Sequence, residues 1–535
     1  MLRFSGAKVG LIYACILLFA CSQLAAQPLL TPWSADDLAQ IESFPANQKR
    51  LGTHYFYWYD YPGQHFFDNA ARTDDALQDH FPKAEAVSFN SVDWHARQLA
   101  DCSAAGIDFI LPVYWGVVDN YLKPSVAFSV QGLEPLQKSI ARRAELGEKS
   151  PKIGLFYDTS TLLPGIRGDN QSEKYDLRTA KGKDIFYRTI RDFFYQIHPK
   201  HWAAIDGKPI VVLYGSGFAK NHDQSTIDYV YAQFAKDFHN IKPYIIKDSS
   251  WGFKCDATTQ WGAALKGPNI FGKVAQVGPG YNDGAVPGRT TPIRDRENGD
   301  YYRFGWNRIL NADIDLVIVE TWNEMHEGTD ICPSREFGRL YIDITRHYAD
   351  LWKSGAKGGE DIVLEHPDLL PHPPSDKGSE YRNTSQVSFS AASSAGIYLV
   401  RGNEDGPTQD ATLGGAKCIR TPEARNTYIY FAVADPFYFD LSEPIILEYT
   451  IWDDEHNWHD TQYDSYDKNA TLDGAYKNTQ RIFCKKSKGW VTHRIELKDA
   501  RLVNRQNRGA DIRFSVSGGW LAIKDVTLKK LSSVR

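Results

Sequence analysis

The sequence predicts an α/β protein, a (β/α)8 TIM-type barrel followed by an all-β sandwich of jelly-roll type. Short apolar runs alternate with amphipathic helical stretches from about residue 50 to 355. Beyond residue 378 helical periodicity fades into short β-rich runs separated by turn residues. The 535-residue length is also too great for one ordinary domain.

The apolar runs are Thr53–Tyr59, Phe109–Trp115, Ile153–Asp158, Pro209–Tyr214, Pro243–Asp248, Val274–Gly278 and Leu316–Glu320. They are continuous rather than alternating, as strands buried on both faces are. Between them, Phe186, Ile190, Phe193, Phe194 and Ile197 share one helix face, as do Phe337, Leu340, Tyr341, Ile344, Tyr348 and Leu351. Repeated strand–helix units call for a parallel sheet. Seven strands favour a closed barrel over an open sheet; an eighth is not visible in the sequence. The later runs, Val387–Ser390, Ile397–Val400, Thr427–Val433, Ile445–Ile451, His493–Leu497 and Ile512–Val516, supply the sandwich.

The chain therefore divides into a leader (1–26), a barrel (27–355), a Gly/Pro-rich linker (356–378) and a sandwich (379–535). Arg3 and Lys8 precede a short apolar stretch, Val9 to Ala20, too short for the ~20 residues of a membrane span, so the leader reads as an export signal. Leu18-Phe19-Ala20-Cys21 is similar to a lipobox and makes Cys21 a candidate lipid anchor, while Gln23-Leu24-Ala25-Ala26 offers a competing cleavage site. The expected location is the periplasm, the outer-membrane surface or the extracellular space. Net charge is -5 with no long basic run, which argues against nucleic acid as a partner. Cys418 and Cys484 both fall in the sandwich, where a disulfide would suit an oxidising compartment. No cysteine or histidine cluster has zinc-site spacing. No cofactor is expected; Asp453-Asp454-Glu455-His456 is a candidate calcium loop, although a solvated acidic loop is the preferred reading.

In a barrel of this kind the active site lies at the C-terminal ends of the strands. The residues ending the runs are therefore candidates: Tyr57, Trp58, Tyr59 and Asp60; Tyr114 and Trp115; Tyr157 and Asp158; Tyr214; Asp248; and Glu320 through Glu327. Aromatic and acidic side chains recur there with little Lys or Arg, a rim suited to a neutral sugar. Aromatics form 13% of the chain, including 14 Trp and 29 Tyr, and composition alone does not separate core packing from sugar stacking.

The strongest local signal is Leu316-Val-Ile-Val-Glu-Thr-Trp-Asn-Glu-Met-His-Glu-Gly328, a buried strand running into three carboxylates. Glu324 and Glu327, three apart, come to one side of a turn or helical start, and two nearby carboxylates suit glycosidic cleavage. His326 lies between them and is a candidate for tuning their protonation. Trp322 and Asn323 complete the segment.

Asn-Glu-Met-His-Glu-Gly-Thr at 323–329 resembles the Asn-Glu-Trp-His-Glu-Gly-Thr segment of glycoside hydrolase family 99, the endo-α-mannosidases, and is similar to the related family 71 α-1,3-glucanases. Gly278-Pro279-Gly280-Tyr281-Asn282-Asp283 with the following Arg289 and Arg294 resembles a Pro-Gly-Tyr-Asp-Asp loop of those proteins, and Tyr55 to Pro62 their first-strand aromatic motif. The resemblance spans most of residues 50–350. It implies Glu324 as the base toward a sugar 2-hydroxyl and Glu327 as acid/base, with retention through a 1,2-anhydro sugar. It also implies a tyrosine matching Tyr214 in the site. Tyr57, Trp58, Tyr59, Asp60, Trp115, Asp158, Tyr214, Tyr281, Arg289, Trp322, Asn323 and His326 are the candidate substrate-binding residues. Met325 departs from the family Trp and puts the identity of the sugar in doubt. The sandwich, with Tyr463-Asp464-Ser465 and Asn504 to Asp511, resembles jelly-roll modules appended to polysaccharide-degrading enzymes. The expected activity is endo-acting hydrolysis of a polysaccharide or oligosaccharide; the alternatives are a non-catalytic glycan-binding surface protein and an inverting family 71-like α-glucanase.

Overall fold

The computed structural model describes residues 30–45, 48–63, 83–167, 173–284, 286, 292–359, 362–371, 374–402, 405–423 and 427–531. The expected leader with Cys21, together with Arg289, lies outside the described residues.

Eight parallel strands form the barrel: β1 (Arg50–Tyr55), β2 (Phe109–Tyr114), β3 (Lys152–Ile153, continuing at Leu155–Tyr157), β4 (Lys208–Leu213), β5 (Tyr244–Asp248), β6 (Ala257–Thr259), β7 (Val274–Val277) and β8 (Leu316–Val319). Parallel ladders run from β7 through β8, β1, β2, β3, β4 and β5 to β6. β6 then lies beside β7, which closes the ring. The strand missing from the sequence pattern is β6. It is three residues long, and its first two, Ala257 and Thr258, are only half-buried, so it leaves no apolar run.

Helices α1 (Val92–Ala104), α2 (Leu133–Glu145), α3 (Ala180–Gln196) and α4 (Gln224–Asp237) follow β1 to β4, and α5 (Asp300–Leu310) and α6 (Leu340–Ser354) follow β7 and β8. Side-chain caps start three of them. Ser91 accepts from the Trp94 N–H, Thr179 from Gly182, and Asp223 forms a capping box. β5 leads to β6 without a helix, and β6 is followed by a single turn, Ala263–Lys266. The barrel thus loses its outer layer on one side.

Every residue of β1, β2, β7 and β8 is buried. Packing inside is tight enough to dictate residue type. A Cβ at Gly52 of β1 would sit 2.2 Å from Cζ of Phe109 on β2.

The second unit packs a seven-stranded sheet on a six-stranded one. All six expected runs are strands, and Phe389 and Tyr449 of one sheet meet Phe431 and Phe514 of the other at 5.0 and 4.8 Å. The Tyr463–Ser465 and Asn504–Asp511 motifs meet inside this unit. Buried Asp464 accepts from the Val503 N–H and the Arg505 guanidinium, and buried Asp511 from the Val433 and Asn504 N–H groups. They are structural pins. The expected Cys418–Cys484 disulfide is not formed. Cys418 is buried in the seven-stranded sheet, whereas Cys484 follows an edge strand of the other and accepts the Lys486 N–H, and both are free thiols. In the candidate calcium loop, Asp453 accepts the Lys485 and Ser487 N–H groups at 2.9 and 3.1 Å, so it closes a turn.

The linker is strapped to the barrel by Arg294, which donates to the carbonyls of His366 and Pro367 as well as Leu265. That is the pinning use of a lone arginine.

Gly52→Ala should lower unfolding stability by about 1–3 kcal/mol, because the Phe109 ring it strikes is itself fully buried and has no room to swing away. Denaturant titration of the purified chain measures the loss.

Candidate active site

The segment after β8 is held before it is functional. Its two ends are tied by the Thr321 N–H donating to the Thr329 carbonyl (2.8 Å) and by a contact of 3.0 Å between their hydroxyls. Arg296, stacked on Phe337 and Tyr341, donates to Asp330 and to the Gly328 carbonyl. The Asn282 N–H donates to the Glu327 carbonyl, and Gly328, at φ +57, lets the Asn282 backbone approach where a Cβ would stand 3.0 Å from its oxygen.

Asn323 is the principal anchor. Its amide oxygen accepts the Phe56 N–H (2.7 Å) and its NH2 donates to the Phe56 carbonyl (2.6 Å), so one side chain closes on both sides of a peptide unit beyond β1. Tyr59 donates its hydroxyl proton to the Asn323 carbonyl and accepts the Met325 N–H. Trp322 donates to Gln98 on α1. Tyr57 donates to the Ser129 carbonyl. These four residues were expected to touch substrate. They are buried and do not line the cavity, because each spends its polar atoms on the scaffold. Asp60 pairs with the Ser88 backbone, and Tyr281 donates to Asp283; neither lines the cavity.

What remains is a cavity of about 330 Å³ at the C-terminal ends of the strands. Glu324, His326 and Glu327 line it from β8, Trp58 from β1, Trp115 from β2, Asp158 from β3 and Tyr214 from β4, all as the sequence led one to expect. Glu324 is buried, with the Thr321 hydroxyl accepting its N–H at 2.9 Å and its own Oε1 accepting the His326 N–H at 3.1 Å. Glu327 is half-buried. The His326 ring stands edge-on to Tyr59, with centroids 5.9 Å apart.

The walls are aromatic. Trp58 and Trp115 meet at 5.7 Å nearly perpendicular, Tyr214 stacks on Phe218 at 5.8 Å, and Trp261 stacks on Phe156 at 5.6 Å and 10°. Phe56, Phe156, Phe218 and Trp261 were missed from sequence. Phe156 sits inside a strand run, and its neighbour Asp158 two positions on was the available signal. Trp261 follows the strand that leaves no pattern. No lysine or arginine is among the described lining residues.

Burial governs the acids. Asp158 accepts from the Trp115 indole N–H (2.6 Å) and the Ser160 N–H (3.0 Å), yet burial still raises its carboxyl above the usual range. Glu320, directly after β8 and behind the cavity wall, accepts the Gly262 and Ala263 N–H groups. Burial, then the charge of Glu327, pushes its carboxyl up to about 8 despite those bonds. His54, packed against Phe156 and Trp261, is held down to about 3 by burial and is neutral.

Glu320 makes stability depend on pH. The folded chain holds this proton more tightly than the unfolded chain, whose glutamate titrates near 4.5. Its contribution is therefore full below about 4.5 and is lost as pH rises to about 8. Calorimetry from pH 5 to 9 should show the melting temperature falling over that window, and Glu320→Gln should flatten the fall.

The chain is 37% identical over 299 residues to a glycoprotein endo-alpha-1,2-mannosidase-like protein of Danio rerio, a match covering 52% of this chain and 65% of that protein. It is 29% identical over 197 residues to the glycoprotein endo-alpha-1,2-mannosidase of Rattus norvegicus, covering 34% and 40%. The chain thus spans less than two thirds of the length of these curated relatives. The GH99 endo-alpha-mannosidase structure from Bacteroides thetaiotaomicron overlaps 57% of this chain and 98% of its own at a TM-score of 0.40 and 16% identity. The relatives bear out the resemblance to the endo-α-mannosidase family drawn from the three sequence motifs. The family model described as "Domain of unknown function (DUF5010)" matches residues 35–357, and the chain belongs to that family.

Proposed function

We propose that the chain is a glycoside hydrolase acting within a neutral polysaccharide or oligosaccharide. The observation that carries the reading is the cavity itself, in which Glu324 and Glu327 share one aromatic-walled space with no lysine or arginine among its described lining. Sugar rings present apolar C–H faces to aromatic walls and hydroxyls to carboxylates. A sulfated or uronic polymer would bring anions to a site already acidic, where they would be repelled.

In the proposed reaction Glu324 takes the proton of the sugar 2-hydroxyl as that oxygen attacks the anomeric carbon. Glu327 gives its proton to the departing glycosidic oxygen. A 1,2-anhydro sugar results. Water then attacks the anomeric carbon, Glu327 takes the water proton, and Glu324 returns its proton to the 2-oxygen, so the anomeric configuration is retained. The chain's own residues supply every proton transfer, and the proposal includes no cofactor. The roles of the two glutamates come from the family resemblance; their common cavity and the anchoring of their loop support it. The proposal extends to export beyond the cytoplasm, on the N-terminal sequence alone.

Glu324→Gln and Glu327→Gln should each lower kcat/KM by about 10²–10⁴ on whichever neutral glycan of a panel the wild type cleaves, with the fold kept by circular dichroism. Unchanged turnover in both would remove the pair from the mechanism. Proton NMR of the first-formed product should show a retained anomer. An inverted anomer would move the reading to water attack in a single displacement.

A further inference from the structure

Trp261 is part of the cavity wall, but no long helix follows β6 to hold it. Two buried carboxylates from other strands hold its turn instead. Asp248, at the end of β5, accepts the Trp261 N–H at Oδ2 (3.0 Å) and the Ser250 N–H at Oδ1 (2.9 Å). Glu320 accepts the Gly262 N–H with both oxygens (3.1 and 3.0 Å) and the Ala263 N–H with Oε2 (3.1 Å). Gly262 adopts φ +106, a backbone that an L side chain resists, so this turn has little intrinsic preference of its own to rely on. The indole is thus fixed from both sides along its backbone.

Glu320 is 1% exposed and pairs with no lysine or arginine among the described residues, and a buried charge of that kind is strongly disfavoured, so it holds the turn chiefly as the neutral acid below about 8. The charge of Glu327 adds to that upward shift. Another titratable group near it is Tyr301 of α5, whose hydroxyl donates to the Ala263 carbonyl and whose ionisation Glu320 opposes. Arg294 lies over the Tyr301 ring at 5.0 Å, with its donors committed to carbonyls.

We propose that Glu320 is a positioning residue for the aromatic wall of the site. With Asp248 it clamps Trp261 as the stacking wall for a pyranose ring at the point of cleavage. The role of the ring rests on the glycosidase reading; the clamp does not.

The test uses the full chain, with soluble mannan and soluble α-glucan as the probes. Glu320→Gln and Asp248→Asn should each raise KM about three- to tenfold, the size of one lost stacking contact, with kcat changed less than KM. Both increments should vanish in a Trp261→Ala background, since all three act through one wall. A merely structural Glu320 would lower the melting temperature and leave KM alone, and that result overturns the proposal. Amide hydrogen exchange reads the clamp without substrate. Trp261 to Ala263 should exchange faster in both variants, and unchanged exchange overturns the clamp. Accelerated exchange in a chain that cleaves neither probe nor any other glycan would sink the glycosidase reading and the pyranose role with it, and leave the clamp standing.

Discussion

The double hydrogen bond between the Asn323 side chain and the Phe56 peptide is the constraint on which the site depends. It joins the segment after the last strand to the segment after the first, across the β8–β1 ladder. A backbone pair would require the two segments to continue as strands; a side-chain amide satisfies the same donor and acceptor while both chains turn outward. That lets Trp58 and Glu324 leave the ladder and line one cavity. Tyr59 extends the join by accepting from Met325 and donating to Asn323. Every polar atom used in this way is buried, so loss of one partner would leave the other unsatisfied in a medium where that costs about 1–3 kcal/mol.

A second constraint follows from what surrounds the carboxylates. Aromatic walls lower the local dielectric, and the described lining contains no fixed positive charge. Acidic groups in and behind such walls resist ionisation, as in the upward shifts of Asp158 in the cavity and Glu320 behind it. The same environment explains why His54 is neutral. It packs edge-on against Phe156 and Trp261, directly beneath the walls, where a cation would be unsolvated.

Much of this was legible in the sequence, for physical reasons that also mark the limit. Seven strands were visible because parallel strands covered on both faces must be apolar along their length. β6 was not, since Ala257-Thr258-Thr259 is short, polar on one side and followed by a turn instead of a helix. Position at a strand end identified Trp58, Trp115, Asp158, Tyr214, Glu324, His326 and Glu327 as cavity residues. The same rule wrongly admitted Tyr57, Tyr59, Trp322 and Asn323. Successive residues in extended chain point to opposite sides, and a tyrosine or asparagine is equally at home facing a sugar or capping a buried peptide. Residue type names the chemistry, and only the partner shows on which side it is spent. Most of the abundant aromatics proved to be core, Trp202, Trp251, Trp306 and Trp352 among them, and a small group at the barrel mouth forms the walls.

Met325 changes meaning in this light. As the departure from the family motif, flanked by the segment's cavity residues, it looked like the position that would alter the sugar. It is fully buried, its N–H donates to Tyr59, and it does not line the cavity. An unbranched thioether in that place fills space behind the catalytic segment, a role in which methionine adapts to irregular neighbours. In the proposed hydrolase, selection among sugars would therefore fall to the surfaces that do meet the cavity. Away from the β8–β1 ladder these include Phe156 and Asp158 from β3, Tyr214 and Phe218 from β4, and Trp261 after β6. Three of these five residues lie where sequence patterning is silent, on a strand interior, in a short turn and after a strand too brief to see. The segment carrying Glu324 and Glu327 is braced almost wholly by backbone and buried side chains, so it can stay the same while these walls diverge. In the proposed hydrolase, reaction chemistry and sugar choice are thus assigned to different parts of one barrel mouth. The first is fixed across the β8–β1 seam, and the second is built on the opposite strands.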